Sequence, residues 1–509
     1  MKIERSPIPG SAPRPADRGS HLAAEQRTYI FGGFPEILPF PRLMFRPLHR
    51  TIAHGKQSSE IYEGGRMQRL ARAAIGTVQP GADATFVSWA LMAAFEKAGL
   101  RVQSFAARAC FFPHDGGAAI TGQATRHLDT WLLEPSACRL LFDRGCSGSD
   151  FALVQGRFDA ALSHAEEMGG KLATLCEWLD MPSIAVIDGC LLRDCQLPDR
   201  PSQVDAVLID GTQCCSERCR LQTCLEALWG VPVLGFVEDL PRLRAEVARL
   251  TIGTAPSRAL CEALGAQAIP SNVLAKIEAL ATSREPSWRS MTDVPEIPSQ
   301  RPLRVAMAYD DAFHCYFPDA MDQLELLGAE VMDFSPLRDD RLPPDIGLVL
   351  FGCGHPEQFY HPLAENCCLA SALKKHVESG GRLYAEGGGL AYLGQSIRLA
   401  NGQQLPMSGV LPIEASIEAE MQPPRAVELE LTRECWLGEI GSVVRGYRTG
   451  FWKIKPLDSS ARCIADDAAT DFDVLAYQNA VGSRVHVNFA MQAPLMNRVF
   501  DPGPAGMHV

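Results

Sequence analysis

Three features of the sequence predict an α/β protein built from two parallel-sheet domains. Short apolar runs alternate with amphipathic segments over two long stretches of chain. Several of those runs end in glycine turns, and a polar, proline-bearing stretch separates the two series. Runs buried on both faces and joined through helices belong to doubly wound sheets, whose ligands sit beyond the C-terminal strand ends.

The first series opens at Met67, where residues 67–77 read as a short strand entering a turn at Gly76-Thr77. Phe86, Ala90, Ala93, Ala94 and Phe95 recur near helical spacing and predict a helix over 84–99. Strands follow at 100–105, 151–156, 183–188, 204–211 and 231–236, with a helix over 170–179 and a cysteine-rich helix after 211. Residues 283–301 read as a linker between a domain over 67–282 and a second over 302–500. The second series has strands at 304–309 and 346–351, a strand–turn–helix through Gly387-Gly388-Gly389, and a strand at 484–489. Residues 1–66 are rich in proline, glycine and arginine and read as a disordered or mis-assigned extension, with Met67 as an alternative start. Residues 501–509 read as a tail.

Composition narrows the function classes. A net charge of −12 argues against nucleic acid as a partner, because phosphate binding needs a basic face. No apolar run reaches 18 residues, so no membrane span is expected, and the N-terminus lacks the layout of a secretion signal. Cytoplasm is the expected compartment. The 17 cysteines, odd in number and scattered, suit reduced thiols better than a disulfide framework.

Among them, Cys190, Cys195, Cys214, Cys215, Cys219 and Cys224 fall close together. Cys190, Cys214, Cys215 and Cys219 are candidate metal ligands, for Zn²⁺ or an iron–sulfur cluster. The plainer reading is helix cysteines packing as small hydrophobes. Asp188 and Asp210 end strands and could hold a cation, although such residues more often cap the next helix.

The run Leu383-Tyr384-Ala385-Glu386-Gly387-Gly388-Gly389-Leu390 has the layout of a nucleophile elbow. With Asp310-Asp311-Ala312-Phe313-His314-Cys315-Tyr316-Phe317-Pro318, Phe334-Ser335-Pro336-Leu337 and Gly352-Cys353-Gly354-His355-Pro356-Glu357, it resembles the cobyrinic acid a,c-diamide synthase family. In the N-terminal half, 99–105 and 121–131 are also similar to that family. The resemblance covers about residues 72–500. It implies a P-loop, dethiobiotin-synthetase-like amide-ligase domain followed by a class I glutamine-amidotransferase-like, flavodoxin-like domain. It also implies ATP and Mg²⁺ as cofactors, and a corrin or related tetrapyrrole whose carboxylates become carboxamides.

Set against the family pattern, both implied sites are altered. In Gly76-Thr77-Val78-Gln79-Pro80-Gly81-Ala82-Asp83-Ala84-Thr85, Asp83 stands where the phosphate-binding lysine is expected and Ala84 where the Mg²⁺ hydroxyl is expected. Gly76, Thr77, Gly81, Asp83 and Thr85 thus form a degenerate phosphate loop. Gln155 replaces a metal-binding acid, and Ala106-Ala107-Arg108-Ala109-Cys110 lacks a lysine and an acid. Gly387 takes the place of the nucleophilic cysteine, while His486 keeps the place of the base and Asn488 replaces a second histidine. The segment beginning Tyr447-Arg448 is rewritten as well. Cys353 is a candidate relocated nucleophile, and a small buried thiol in a turn is the plainer account. Arg126, Asp129 and Trp131 are the substrate-side candidates.

Three functions are therefore expected to compete. The first is a catalytically degenerate scaffold that binds a tetrapyrrole, a protein partner or a second copy. The second is an ammonia-using amide ligase with a rearranged ATP site. The third is a cysteine-cluster metal or redox protein.

Overall fold

The computed structural model describes residues 70–111, 116–158, 169–192, 197–212, 214–250, 254–288, 302–418, 424–465 and 472–501. The expectations for 1–66 and for most of the linker lie outside the described residues, as does Cys195.

The first sheet has seven strands: β1 (Ala71–Thr77), β2 (Val102–Ala106), β3 (Arg126–His127), β4 (Phe151–Arg157), β5 (Ser183–Asp188), β6 (Ala206–Asp210) and β7 (Val233–Phe236). Their order is β3-β2-β4-β1-β5-β6-β7, and every pairing is parallel. All seven residues of the central strand β1 are buried, as a strand covered on both faces requires. The helix Thr85–Lys97 covers one face with Phe86, Trp89, Leu91 and Phe95, and Phe95 stacks on Phe151 of β4 at 4.1 Å between ring centroids. The register places Gly76 beside Gly156, and Thr77 between Arg157 and Val186. The ends of β1, β4 and β5 therefore share one edge, the usual ligand edge of such a sheet.

The second sheet contains β8 (Arg304–Ala308), β9 (Glu330–Phe334), β10 (Leu348–Phe351), β11 (Arg382–Glu386), β12 (Arg462–Ala465), β13 (Val474–Tyr477) and β14 (Ala480–Ser483). Its order is β9-β8-β10-β11-β14-β13-β12, parallel from β9 to β14 and antiparallel beyond. Among the described residues, one apolar cluster includes Val154, Phe158 and Leu172 at the first sheet and Phe317, Leu350 and Trp436 at the second.

One strand expectation is corrected. The sheet strand beside β11 is β14, and 484–489 does not extend it. The chain leaves the sheet at Ser483, whose hydroxyl donates to the Val485 carbonyl (2.7 Å) and accepts from the Val485 N–H (3.0 Å). Val485–His486 then pairs with Tyr447 and Arg448 in a separate three-stranded sheet. Asn488 ends the run by accepting from the Ala490 N–H at 3.1 Å, which caps a short 3₁₀ turn. That detour lifts His486 out of the sheet and toward the elbow.

Candidate functional site

Strand β11 turns sharply at Gly387 (φ 50°, ψ −112°) and continues as the helix Gly388–Leu393. This backbone favours glycine, and side-chain-bearing residues occupy it only under strain. The elbow helix lies against the loop after β10. A Cβ on Gly388 would stand 2.2 Å from the Gly354 carbonyl oxygen, and one on Gly389 would stand 2.6 Å from that of Gly352. Both glycines are thus required by close approach of the two turns.

That approach brings Cys353 to the elbow. Its Sγ lies 3.0 Å from His486 Nε2, and the Gly388 N–H also bonds the sulfur. A Cβ built on Gly387 would lie 2.9 Å from the same Sγ and 3.4 Å from His486 Nε2. The sulfur therefore fills the space beside the His486 imidazole that a side chain at 387 would need. Burial pushes the Cys353 thiol well above its usual range, with the nearby Glu386 carboxyl adding to the rise. Burial lowers His486 to about 4. At neutral pH the pair is thus an uncharged thiol and an uncharged imidazole. Phe111 lies 5.1 Å from the His486 ring, and Phe317 lies 4.4 Å from Phe111.

Glu386, one residue before the elbow, was not singled out by sequence, since an acid in an apolar strand gave no signal of its role. Its Oε1 accepts from the Tyr384 hydroxyl (2.7 Å) and the Val487 N–H (2.9 Å). Burial raises its carboxyl to about 8.

At the ends of β1, β4 and β5 the loop after Thr77 closes on itself. Gln79, also missed by sequence, is buried and exchanges two hydrogen bonds with the Asp188 backbone. Its Nε2 donates to the Asp188 carbonyl at 2.9 Å, and its Oε1 accepts from the Asp188 N–H at 2.7 Å. The Ala82 N–H donates to the Gln79 carbonyl at 3.2 Å, with Gly81 at φ 78°. Asp83 Oδ1 accepts from the Thr85 N–H at 2.8 Å and from the Thr85 hydroxyl at 2.6 Å. Asp83 is therefore an exposed turn residue at a helix start. Gly76 is fixed by packing, since a Cβ there would stand 2.4 Å from Leu172 Cδ2. Gln155 is half-buried at its strand end.

The two aspartates that end β5 and β6 have local partners as well. Asp188 accepts from the Cys190 N–H (2.9 Å), and Asp210 is paired with Arg244, whose guanidinium lies 4.1 Å over the Phe86 ring.

The substrate-side candidates hold the two halves together. Asp129 is fully buried and accepts from the Ala109 N–H (3.0 Å), the Trp131 N–H (2.9 Å) and the Tyr447 hydroxyl (2.5 Å). Trp131 meets Tyr447 edge-on at 5.9 Å. Arg126 bridges Asp319 at 2.5 Å and Asp322 at 2.7 Å.

The four cysteines offered as metal ligands are not gathered. Cys190 Sγ donates to the Gly211 carbonyl at 2.9 Å, and Cys214 Sγ meets the Ser216 hydroxyl at 3.1 Å, while Cys215 and Cys219 are exposed. Among the described residues no group of three or more His, Cys, Asp or Glu could hold a metal ion. No helix among them is long and apolar enough to cross a membrane.

Residues 304–493 match the CobB/CobQ-like glutamine amidotransferase domain. Most of the chain is also similar to curated cobyrinate a,c-diamide synthases. That of Syntrophotalea carbinolica is 30% identical over 393 residues, 74% of this chain and 84% of the relative. That of Salmonella typhimurium is 25% identical over 437 residues, 82% and 94%. That of Listeria innocua is 25% identical over 455 residues, 84% and 98%. By these similarities the chain belongs to the cobyrinate a,c-diamide synthase family, amidotransferases of cobalamin biosynthesis.

Proposed function

We propose that this chain has lost the ATP-dependent amide ligation implied by its family and serves as a binding or scaffold member of it. A corrin-type tetrapyrrole is the candidate ligand, and a protein or a second copy of the chain is the candidate partner. The observation that carries the reading is the closed loop after β1. A triphosphate needs free N–H donors and a cation, with a hydroxyl or carboxylate for Mg²⁺. Here the Ala82 and Thr85 N–H groups are taken by Gln79 and Asp83, the Thr85 hydroxyl is taken by Asp83, and Gln79 is clipped to Asp188. Asp83 adds a negative charge where the ligand would bring more. This donor set does not fit ATP with Mg²⁺.

The family-like segment 121–131 is the sequence feature that favours the ammonia-using ligase. In this chain Arg126 and Asp129 of that segment hold Asp319, Asp322 and Tyr447, so its retention has a structural account. The test is ADP release with ATP, Mg²⁺, ammonium chloride and cobyrinic acid, omitting glutamine. The expected result is no substrate-dependent ADP, with cobyrinic acid still binding in a parallel titration. Substrate-dependent ADP release would overturn the proposal.

A further inference from the structure

The outer edge of the first sheet carries a cleft that neither the loop after β1 nor the elbow accounts for. β7 is the last strand of its sheet, with β5 and β6 between it and β1. The cleft, of about 380 Å³, lies along β7 between the helices Cys215–Trp229 and Ser271–Ala281. We infer that it binds a short linear dicarboxylate, with Arg218 holding one carboxylate and Lys276 the other.

The cleft is built by close packing at the strand. Gly235 lets the second helix lie directly on β7, because a Cβ there would stand 2.4 Å from Val273 Cγ2. About one turn on, and so on the same side of that helix, Lys276 reaches the strand and its Nζ donates to the Leu234 carbonyl at 3.0 Å. An ammonium has three N–H groups, and this contact uses one. Among the described residues no carboxylate pairs with it. On the other helix, two contacts position Arg218. Its Nε donates to the Thr212 hydroxyl at 3.0 Å, and its guanidinium lies 5.4 Å over the Phe236 ring. Its carboxylate neighbour is Glu238, at 3.5 Å and with a side chain 43% exposed. A pair that long and that open to water is weak, and a better-placed carboxylate displaces it.

Charge and spacing then select the ligand. The lining holds two cations and one acid, a surplus of positive charge on a chain whose net charge is −12. Lys276 stands over Leu234 and Arg218 over Phe236, two strand positions apart, or about 6–7 Å. A compact anion reaches one of them, whereas a carboxylate at each end of a short chain reaches both. The guanidinium fork matches the two oxygens of a carboxylate, and the ammonium acts as a point charge. Val233 and Val273, both buried, line the middle and suit methylene groups. The volume falls within the range of small-molecule sites, about 300–1,000 Å³. An added strand is the competing occupant, and β7 is closed to one. The Val233 N–H is taken by Glu226 Oε1 at 3.2 Å and the Leu234 carbonyl by Lys276, and the pairing of β7 with β6 carries a register shift. Side chains and irregularities of this kind block pairing at an edge, so recognition falls to side chains.

The test is isothermal titration calorimetry of the full-length chain with succinate, glutarate and adipate at neutral pH and low salt. It contains neither ATP nor tetrapyrrole, so its failure is separate from failure of the proposed function. Saturable binding at one site per chain is expected for at least one of the three, with butyrate and inorganic phosphate at least about fivefold weaker. Lys276→Met and Arg218→Gln should each weaken the tightest dicarboxylate at least about fivefold, through loss of a charge-assisted hydrogen bond. Glu238→Gln should tighten it about twofold to fivefold, because it removes the acid that competes for Arg218. Arg258→Gln, which alters an exposed arginine on another helix, should bind as the natural chain does. Hydrogen–deuterium exchange should show the dicarboxylate protecting peptides that span residues 233–238 and 271–276. Absence of saturable binding by all three dicarboxylates would overturn the inference. So would equal binding of butyrate or phosphate, unchanged affinity in both Lys276→Met and Arg218→Gln, or protection confined to other segments.

Discussion

The Tyr447 hydroxyl donates a 2.5 Å hydrogen bond to Asp129 Oδ2, joining residues 318 positions apart. Asp129 is fully buried, and the Gly170 N–H bonds the same hydroxyl at 3.2 Å while Arg108 lies 4.8 Å over the ring. A hydroxyl bound to a buried acid contributes roughly 1.5–3 kcal/mol. Tyr447→Phe should lower the free energy of unfolding by about that amount in urea titrations. If Asp129 serves a ligand instead, the substitution would leave stability unchanged and alter tetrapyrrole binding.

Arg126 makes a second link of the same kind. Asp319 is 2% exposed on its side chain and Asp322 is 21% exposed, so the arginine neutralises one carboxylate that water cannot reach and one that it can. Removing one partner of a buried pair strands the other charge at a cost of about 3–5 kcal/mol. Arg126→Ala should therefore destabilise by about 3–5 kcal/mol, and Asp322→Asn by about 1 kcal/mol or less. Equal effects from the two substitutions in thermal or urea unfolding would refute this division of roles.

The parallel sheets were legible in sequence because β-rich apolar runs such as Ser183–Asp188 and Phe151–Arg157 end in recognisable turns. The elbow was legible because only glycine suits the contacts at 388 and 389. Other parts depended on partners far away in the chain. Nothing near Gln79 announces its pairing with the Asp188 backbone 109 residues on. Nothing near Asp129 announces the Tyr447 hydroxyl that bonds it from 318 residues on. The family-like segments around Asp310 and Ser335 illustrate the same point. Asp310 accepts from the Ser335 hydroxyl (2.8 Å) and the Leu337 N–H (2.9 Å), a clip that explains both segments without a ligand. The break at Ser483 was missed because a valine-rich run with alternating polar residues fits a strand until its pairing partner is known.

Gln79 offers a direct measure of how firmly the loop is closed. Its carboxamide satisfies both the N–H and the C=O of Asp188, and a substitution leaves two backbone groups without that partner. Gln79→Ala should cost about 2–3 kcal/mol, at about 1–1.5 kcal/mol for each hydrogen bond. Asp83→Ala removes a helix-start contact and should cost about 0.5–2 kcal/mol. Neither substitution should create ATP binding, read by titration with a fluorescent nucleotide, because neither supplies a lysine. Tight ATP binding to Gln79→Ala would show that the closed loop hides a working phosphate site.

Gly387→Cys tests whether the elbow and Cys353 exclude one another. The new Cβ would sit 2.9 Å from Cys353 Sγ, on a backbone at φ 50°. Strain of this kind costs about 1–3 kcal/mol, and the steric clash adds to it. Adding Cys353→Ala removes the sulfur and should recover at least about 1 kcal/mol, a coupling that a double-mutant cycle in urea detects. Additive effects would mean that the two positions do not compete for one space.

The buried Glu386 sets a pH dependence whose direction is fixed by its environment. Burial raises its carboxyl from 4.5 to about 8, against the opposing pull of the Val487 N–H and the Tyr384 hydroxyl. Below 4.5 the group is protonated in both folded and unfolded chains. As the pH rises above 4.5 the unfolded chain ionises while the folded chain keeps its proton, so this residue's contribution to stability falls progressively until about 8. His486, His314 and His127, all lowered by burial, act in the opposite sense below their ordinary value of 6.5 and mask part of the slope. Glu386→Gln keeps an uncharged acceptor for Tyr384 and Val487 and removes only the titration. Urea midpoints of the variant should therefore rise relative to those of the natural chain as the pH moves from 4.5 to about 8, with the difference levelling above that value. A difference independent of pH would place a charged Glu386 in the folded protein throughout.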